Sequence, residues 1–355
     1  SDVYKRQVMG TATFNPVRSH LVFGFGNYVV RLDRYLGAVL SGGLIVLTCA
    51  ALLLSDWWIA GLLGQFHVQF IAVGIVLSLV LIRFRCWFAA SASFLAVAIN
   101  ALLLLAYVPP SPAAHPFAVS AQTETLRVMT FNVLFSNREL APLRRAIETH
   151  QPDIVLLQEV NAQWNAKLDE LTDIMPYQLR SAVNGRLPAQ HGTAMLSRLP
   201  IEHGMRGSLA GLPGRLTNAE VKMPSGQPVG IAVTHLVKPT NYYGAALQRR
   251  QFDALADWLR LVDGPVLLTG DFNSTLYSAD MRQFLKRSQM VTEQPVLSLW
   301  DELAGSYPAW LPFLGIKIDH VMGRDLSIDT ARVVAIDGSD HRAIVADIEV
   351  NVPIQ

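Results

Sequence analysis

The stretch LLTGDFNST, residues 267–275, is an apolar run that ends abruptly in Gly-Asp-Phe-Asn. Its apolar residues predict a buried strand, and Asp271 and Asn273 stand where that strand ends. Side chains two residues apart in an extended segment point to the same side, so we expect an acid and an amide to face one spot. A buried acid is costly unless it is paired or bound to a metal, which makes this strand end a candidate functional site.

Polar residues end or interrupt other apolar runs in the same way. They are Asn132 after RVMTF, Glu159 after IVLLQ, His235 after GIAVT, Asp319 and His320 after GIKI, and Asp340 and His341 before RAIVADI. A single residue of this kind is usually a satisfied turn or cap residue. Their recurrence on several strands favours one shared site instead.

The chemical types in this set indicate a metal and a phosphoester. Carboxylates, carboxamides and imidazoles are present, whereas the two cysteines, Cys49 and Cys86, both lie in the apolar N-terminal third. Oxygen-rich sites suit Mg²⁺, Mn²⁺ or Ca²⁺. A divalent metal beside histidines and amides is suited to the attack of water on a phosphodiester. A Gly-rich phosphate loop of the Walker type is absent from the sequence.

The segment from 126 onward alternates between strand and helix patterns. Helical spacing covers 139–151, 161–175 and 243–262, and the strand-like runs are 126–135, 152–160, 191–201, 216–223, 228–237, 265–272, 317–325, 331–338 and 342–350. Many strands with few, separated helices predict an α/β fold, a four-layer sandwich of two packed mixed sheets flanked by helices.

The motifs TFNV, IVLLQEV, TH, GDFN, IDHV and SDHRAI, in that order, resemble the endonuclease/exonuclease/phosphatase superfamily, the deoxyribonuclease I-like proteins. The resemblance covers about residues 126–350. It implies a metal-dependent hydrolase of phosphoester bonds that uses Mg²⁺ or Mn²⁺. One departure is Leu134, which stands where some nucleases of the family carry an acid, so a second metal contact of the nuclease kind is in question.

The resemblance also implies roles for single residues. Glu159 is similar to the main metal ligand, with Asn132 beside it and Asp340 near the metal. Asp271 resembles the acid that orients the attacking water or serves the leaving group, and Asn273 a donor to phosphoryl oxygens. The remaining correspondences are His235 as a phosphate or leaving-group contact, His341 as general base or charge stabiliser, and Asp319 as the carboxylate that orients it.

Several other residues have both a functional and a structural interpretation. His191, Arg198 and Arg215 are candidates for substrate contact, but a loop role or simple solvation is the commoner case. His320 should point away from Asp319, so we expect a structural role. Tyr242 and Tyr243 are candidates for lining a pocket. The aromatic segment 306–320, SYPAWLPFLGIKIDH, is interpreted first as a packed loop under the site and second as a lip that meets lipid.

Three uncharged apolar stretches precede this domain, at about 35–54, 59–82 and 87–108. Each approaches the ~20 residues needed to cross a bilayer, and aromatic residues stand at their ends. We therefore predict three transmembrane helices over 35–108, rather than buried core helices or a signal peptide. The positive-inside rule, applied to Arg31, Arg34, Arg83 and Arg85, places residues 1–34 in the cytoplasm and everything after the third span outside it.

The remaining boundaries follow from composition. Residues 109–125 are rich in Pro, Ala, Ser and Thr and predict a linker, and 126–355 forms the catalytic domain. Met9 is a candidate start of translation. Residues 1–121 carry seven Lys and Arg against three Asp and Glu, and the remainder carries 22 against 25. This mildly acidic domain lacks the broad basic field typical of polyanion binders.

The sequence as a whole predicts a multi-pass inner-membrane protein with an extracytoplasmic, divalent-metal-dependent phosphoester hydrolase domain. A lipid or lipid-linked phosphate is the favoured substrate because the domain is anchored at the bilayer. An extracytoplasmic nuclease is the enzymatic alternative, with nucleic acid as a less favoured partner. A catalytically inactive binding module is the alternative from another class, and the oligomeric state is left open.

Overall fold

A computed structural model describes residues 20–55, 57–107, 122–181, 191–292, 305–311 and 313–352, with backbone only for 20–33. Four helices come first: α1 His20–Leu53, α2 Trp58–Leu63, α3 His67–Arg83 and α4 Trp87–Tyr107. The predicted linker falls almost wholly outside the described residues, as do residues 1–19 of the predicted cytoplasmic segment.

The N-terminal helices match the predicted spans only in part. Two segments are long and apolar enough to cross a membrane, Arg34–Leu53 and Trp87–Tyr107, and they correspond to the first and third predicted spans. The continuous middle helix predicted over 59–82 is wrong. It is divided at residues 64–66 into the short α2 and the 17-residue α3. The three long helices pack against one another as a bundle.

Within the described residues, twelve strands form two six-stranded sheets, and each sheet is mixed. The first sheet has the order β11-β12-β1-β2-β4-β3, and the second has the order β5-β6-β7-β8-β10-β9. The strands are β1 Gln122–Asn132, β2 Ile154–Val160, β3 Tyr177–Arg180, β4 Gly192–Ser197, β5 Ile201–Leu209, β6 Leu212–Lys222, β7 Pro228–His235, β8 Val266–Asp271, β9 Val291–Thr292, β10 Asp319–Arg324, β11 Ser327–Val334 and β12 Ala343–Val352.

The two sheets pack face to face, and helices cover their outer faces. The helices are α5 Ala141–His150, α6 Ala162–Lys167 with a following 3₁₀ turn Leu168–Leu171, α7 Tyr242–Leu259 and α8 Ala279–Ser288. Strand alternation divides the core. In β2, Ile154 and Leu156 face the second sheet, whereas Val155 and Leu157 face the helical side. The predicted arrangement of two mixed sheets flanked by helices is confirmed.

Glycine at position 270 is required by close packing of two neighbouring strands. Gly270 has φ +141°, and a Cβ atom there would lie 1.9 Å from the carbonyl oxygen of Thr234 on β7. That position directly precedes Asp271, so the close approach of β7 and β8 fixes the strand end that the sequence marked.

Replacing Gly270 with alanine is therefore expected to destabilise the protein by about 2–4 kcal/mol, through a clash with backbone and a left-handed φ. The matched control is Gly264→Ala. Gly264 also has a positive φ, +76°, but open space around its Cβ, and should cost only about 1 kcal/mol. Chemical unfolding of the detergent-purified chain measures both. Equal stability of the two variants would contradict this account of Gly270.

Candidate active site

The polar strand-end residues meet at one edge of the two sheets. β1 runs parallel to β2, and β7 runs parallel to β8, so the carboxyl ends of each pair lie side by side. Asn132 ends β1, Glu159 is the penultimate residue of β2, His235 ends β7 and Asp271 ends β8. All four side chains are buried.

Two further residues join this edge from later in the chain. Asp319, the first residue of β10, pairs with Asp271 in the antiparallel register, and Asp271 pairs with His235 on its other side. The second sheet thus presents these three residues in one row. His341 lies two residues before β12 in the first sheet and is also buried.

Glu159 reaches the site because β2 is irregular at this position. The register between β2 and β4 shifts between Gln158 and Val160, and Glu159 has φ +61°. Regular alternation would turn Val160 toward the second sheet, yet it packs in the helical-side core with Leu157. The extra residue of this β-bulge re-aims the carboxylate, a local strain of the kind that gathers at functional sites.

The Asn132 amide connects the two sheets. Its Nδ2 donates to Glu159 Oε1 at 3.2 Å and to Asp271 Oδ2 at 3.0 Å, and lies 3.4 Å from His341 Nε2. Its Oδ1 accepts a hydrogen bond from the backbone N–H of Leu134 at 3.0 Å, which fixes the orientation of the amide. One side chain therefore sets the positions of both carboxylates.

His341 and Asp319 form a buried charged pair. His341 Nδ1 lies 2.8 Å from Asp319 Oδ2, and its Nε2 lies 3.7 Å from Asp271 Oδ2. Burial alone would lower the pKa of His341, but the carboxylates of Asp319 and Asp271 outweigh it and raise this pKa to about 9. The imidazole is thus a cation at neutral pH, with Nε2 directed toward Asp271.

His235 is held neutral, in contrast to the charged His341. Its Nε2 lies 3.6 Å from Asp271 Oδ2 and 4.0 Å from Glu159 Oε1. Burial and then the charge of Arg215 hold the pKa of His235 well below its usual value, so the ring is neutral. Burial raises the pKa of Asp271 to about 7, against the lowering effect of the His341 charge. The site therefore holds one charged and one neutral imidazole around a carboxyl that titrates near neutrality.

Arg215 lies behind His235 rather than in solvent. It is buried, and its Nη1 donates to the carbonyl oxygen of His235 at 2.9 Å. Burial lowers its pKa to about 10, in spite of the nearby charges of Asp271 and Glu159. His191, whose ring centroid is 5.6 Å from that of His235, also lies at this side of the site.

Asn273 lies beside Asp271, but not for the predicted reason. β8 ends at Asp271, and Asn273 has φ +48°, so the segment is a turn rather than an extended strand. The Asn273 backbone N–H donates to Asp271 Oδ1 at 2.8 Å, and its Nδ2 donates to the Leu236 carbonyl at 2.9 Å. The expectation that both side chains point together along one strand face is wrong.

Asp340 and His320 lie outside the groups of candidate metal ligands. Asp340 Oδ1 is buried without a hydrogen-bond partner in the described structure, and its carbonyl accepts from the Ala309 N–H at 2.7 Å. It belongs to neither cluster of candidate ligands described next. His320 Nε2 lies 2.8 Å from the Ser274 carbonyl, and burial lowers its pKa to about 4, in line with the structural role that strand alternation predicted.

Two residues that were not among the predicted site residues support the site. Ser339 Oγ donates to the Asn132 carbonyl at 2.7 Å and accepts from the His341 N–H at 3.0 Å, which ties the SDH motif to the end of β1. The Tyr307 ring lies 4.9 Å from the His341 ring. The sequence signal for Ser339 is its position in that motif, and the signal for Tyr307 is its place in the aromatic segment 306–320.

Two overlapping groups of described side chains have the donor chemistry of a metal site: Glu159, His235 and Asp271, and Asp271, Asp319 and His341. Within each group the candidate ligand atoms lie within 4.8 Å of one another. In the second group the acid and imidazole already form a charged pair. The first group places two buried carboxylates beside a neutral imidazole, so a divalent cation fits its charge and its oxygen-rich donor set.

The geometry defines a four-layer α/β protein with a carboxylate–imidazole site where its two sheets meet. A sequence profile described as "Endonuclease/Exonuclease/phosphatase family" matches residues 129–341, from the last part of β1 to the SDH motif. That match spans more than half of the chain and includes every strand end described above. The protein belongs to the endonuclease/exonuclease/phosphatase family, as the motifs predicted.

Individual relatives are more distant. A UPF0294 protein of Vibrio cholerae serotype O1 is 31% identical over 135 residues, which are 38% of this chain and 44% of that protein. The chain thus matches less than half the length of this curated relative. An endonuclease/exonuclease/phosphatase structure from Beutenbergia cavernae superposes with a TM-score of 0.53 at 23% identity, covering 64% of this chain and 72% of that one.

A second solved structure shows the same fold. D. rerio TDP2 complexed with a single-strand DNA product superposes with a TM-score of 0.50 at 18% identity, covering 63% of this chain and 99% of that one. At these identities the likeness concerns the fold alone.

The charge on His341 provides a direct test of the site electrostatics. Asp319→Asn removes the closest carboxylate and leaves the burial that lowers the pKa, so the pKa of His341 should fall from about 9 toward or below its usual value. Imidazole NMR titration of isotope-labelled protein measures this, with His341→Gln to assign the resonance. Asp347→Asn, remote from the site and paired with Arg127, is the control. An unchanged pKa in Asp319→Asn would contradict the pairing.

Proposed function

We propose that this protein is a membrane-anchored, divalent-metal-dependent phosphoester hydrolase whose active domain lies outside the cytoplasm. The proposal rests on the convergence of Glu159 and Asp271, from different sheets, onto one amide, that of Asn132. The imidazoles of His235 and His341 lie close to Asp271. Family membership supports the same class of chemistry.

In this proposal Glu159 is the main metal ligand, and Mg²⁺ or Mn²⁺ is the ion. Its Oε2 accepts the Phe135 N–H at 3.0 Å, which leaves Oε1 directed toward His235 and Asp271. Asn132 lies beside Glu159 and orients its carboxylate. Asp340 is proposed to lie near the metal, because its Oδ1 is buried and has no hydrogen-bond partner among the described residues. When bound, the ion supplies charge that screens the phosphoryl oxygens and favours attack by water.

The protein side chains divide the remaining work. Asp271, with a pKa near 7, is suited to orient the attacking water and accept its proton. His341 is charged at neutral pH and oriented by Asp319, so it stabilises negative charge on the transferring phosphoryl group rather than acting as the base. Neutral His235 contacts the phosphate or the leaving group. Asn273 donates one of its two amide hydrogens to the Leu236 carbonyl, and the second hydrogen is proposed to donate to a phosphoryl oxygen.

The surface of the helical bundle supports membrane insertion. Its large outward side chains are apolar and exposed, including Val73, Leu79, Phe88, Phe94 and Leu105. Four buried polar side chains bond to each other inside the bundle: Ser41 Oγ lies 2.8 Å from Ser93 Oγ, and Asn100 Nδ2 donates to Thr48 Oγ1 at 2.9 Å. Helices in lipid are expected to have apolar side chains on the outside of their bundle and hydrogen-bonded polar side chains inside it. On this basis α1, α3 and α4 are the three spans.

The charges at the bundle ends support the orientation. Arg34 begins the apolar span of α1, Arg83 ends α3 and Arg85 precedes α4. These three arginines mark the cytoplasmic end of the spans by the positive-inside rule. The catalytic domain contacts the opposite end, where the Thr275 N–H donates to Gln65 Oε1 at 3.3 Å just before α3 begins. The domain is therefore proposed to be periplasmic or extracellular.

Glu159→Gln should reduce metal-dependent turnover of a soluble phosphodiester, bis-p-nitrophenyl phosphate, by at least about 10²-fold, because it removes a ligand charge from the site. Absorbance of the released nitrophenolate, with and without Mg²⁺ or Mn²⁺, measures the effect. Glu148→Gln changes an exposed acid on α5 and should retain the full rate. Undiminished, metal-dependent turnover in Glu159→Gln would show that the metal assignment is wrong.

A substrate panel separates the proposed lipid substrate from the alternatives. Purified full-length protein is given phospholipid vesicles, a nucleotide monophosphate and plasmid DNA, with His341→Ala as the inactive control. We expect product from lipid that depends on metal and on His341. Degraded plasmid with untouched lipid would favour an extracytoplasmic nuclease. DNA is also the ligand in the TDP2 structure, which has a similar fold. Turnover of none of them would favour an inactive binding module.

The orientation is tested by protease treatment of intact spheroplasts. We expect the domain from β1 onward to be digested while a cytoplasmic marker stays intact, since the three spans place it outside. Digestion only after lysis would reverse the proposed topology.

A further inference from the structure

Three apolar side chains stand exposed close to the site, in the segment between β9 and β10. Trp310, Phe313 and Leu314 are 76%, 67% and 50% exposed, respectively. We call these three residues the lip. Large apolar groups clustered on a surface indicate an interaction site more often than isolated ones do. The interpretation of 306–320 as a loop packed wholly under the site therefore does not fit these residues.

The lip is held at the site by its flanking residues. Ser306 Oγ accepts from the N–H groups of Ile318 and Asp319 at 3.0 and 3.2 Å, and its carbonyl accepts from the Arg342 N–H at 2.8 Å. The neighbouring Tyr307 ring contacts His341, as described above. The lip is thus fixed at the rim of the active site by bonds to the segments that carry Asp319 and His341.

The lip is also bonded to the membrane bundle. Gln69 Nε2 donates to the carbonyl oxygens of Leu314 and Gly315 at 3.1 and 2.7 Å. Gln69 is the third residue of α3, so it lies inside the first turn of a proposed span. Gln65, four residues earlier, accepts a hydrogen bond from the Thr275 N–H, in the segment that follows Asp271 and Asn273.

These contacts set the depth of the lip. α3 has 17 residues, a length of about 25 Å, whereas the hydrocarbon core of a bilayer is about 30 Å thick. A span this short places its first turn at the level of the lipid headgroups or slightly within them. The lip is bonded to that turn, and Trp and Phe side chains are favoured at this boundary.

We infer that Trp310, Phe313 and Leu314 enter the outer leaflet of the membrane that holds the anchor, so that the active site opens onto the headgroup layer. The substrate that this geometry fits is a phosphoester carried by a membrane lipid, taken without leaving the bilayer. The inference rests on the proposed membrane anchor and deepens the proposed function. The occupant of the lip is the bilayer, because the hydrogen bonds of Gln69 place the lip beside a span.

The test uses the full chain with Cys49→Ser and Cys86→Ser, and one new cysteine labelled with bimane at Phe313→Cys. The protein is reconstituted into phosphatidylcholine–phosphatidylglycerol vesicles containing lipids with a nitroxide near the headgroup or near the chain end. We expect the shallow nitroxide to quench about half of the fluorescence and the deep one to quench less, as for a side chain at the headgroup boundary. Leu314→Cys, in the same background, gives a second position in case the first variant fails to fold.

The matched control is Leu261→Cys. Leu261 is apolar and 82% exposed, but it precedes β8 and lies at the sheet edge opposite the site. It should show no quenching. Absence of quenching at both lip positions, or equal quenching at Leu261, would overturn the inference. A second copy of the protein covering the lip would give the first of these results.

Hydrolysis of a soluble phosphodiester by the unmodified protein, measured in the same vesicles, reports the proposed function separately. Turnover without lip quenching would contradict the membrane contact of the lip and leave the proposed hydrolase function intact. Lip quenching without turnover would contradict the hydrolase function and leave the membrane contact intact. If both hold, the double variant Trp310→Ser, Phe313→Ser should lower the ratio of vesicle-lipid turnover to soluble-diester turnover about tenfold, from the loss of apolar contact with the leaflet. An unchanged ratio would contradict delivery of substrate from the bilayer.

Discussion

The site depends on one amide that bridges two sheets. Asn132 ends a strand of the first sheet and donates to Glu159 from that sheet and to Asp271 from the other. Two buried carboxylates so close together repel each other, and burial makes that repulsion stronger. The amide and the charged imidazole of His341 offset this repulsion, and the proposed cation would offset it further. The sandwich brings these groups together only because both sheets place parallel strand ends at the same edge.

Strand-end chemistry was the part of this site that the sequence predicted well. Asn132, Glu159, His235, Asp271, Asp319 and His341 each followed or preceded an apolar run, and all six meet. Local backbone geometry was not predictable, because single residues with left-handed φ decide it. The bulge at Glu159 depends on pairing with β4, and the turn at Asn273 is held by a hydrogen bond to the Leu236 carbonyl. Both partners lie far away in the chain.

The same limit applies to the fold. Periodicity identified the long helix α7 and most central strands, whereas the exposed β5, the two-residue β9 and the ten-residue α8 were missed. β5 has few buried side chains, β9 is too short to show a pattern, and α8 buries only two large apolar side chains, Met281 and Phe284. In the N-terminal region composition predicted apolar spans, but it did not reveal the break at residues 64–66. That break matters because Gln65 and Gln69, on either side of the start of α3, bond the bundle to both sides of the site.

The central claim is that Glu159 holds a divalent cation beside Asp271, and Mn²⁺ binding measured by electron paramagnetic resonance tests it most directly. The free-ion signal of Mn²⁺ titrated into purified full-length protein should reveal a tight site. That site should be lost in the double variant Glu159→Gln, Asp271→Asn, which keeps the size of both side chains and removes both charges. Equal Mn²⁺ binding by the variant and the unmodified protein would contradict the account.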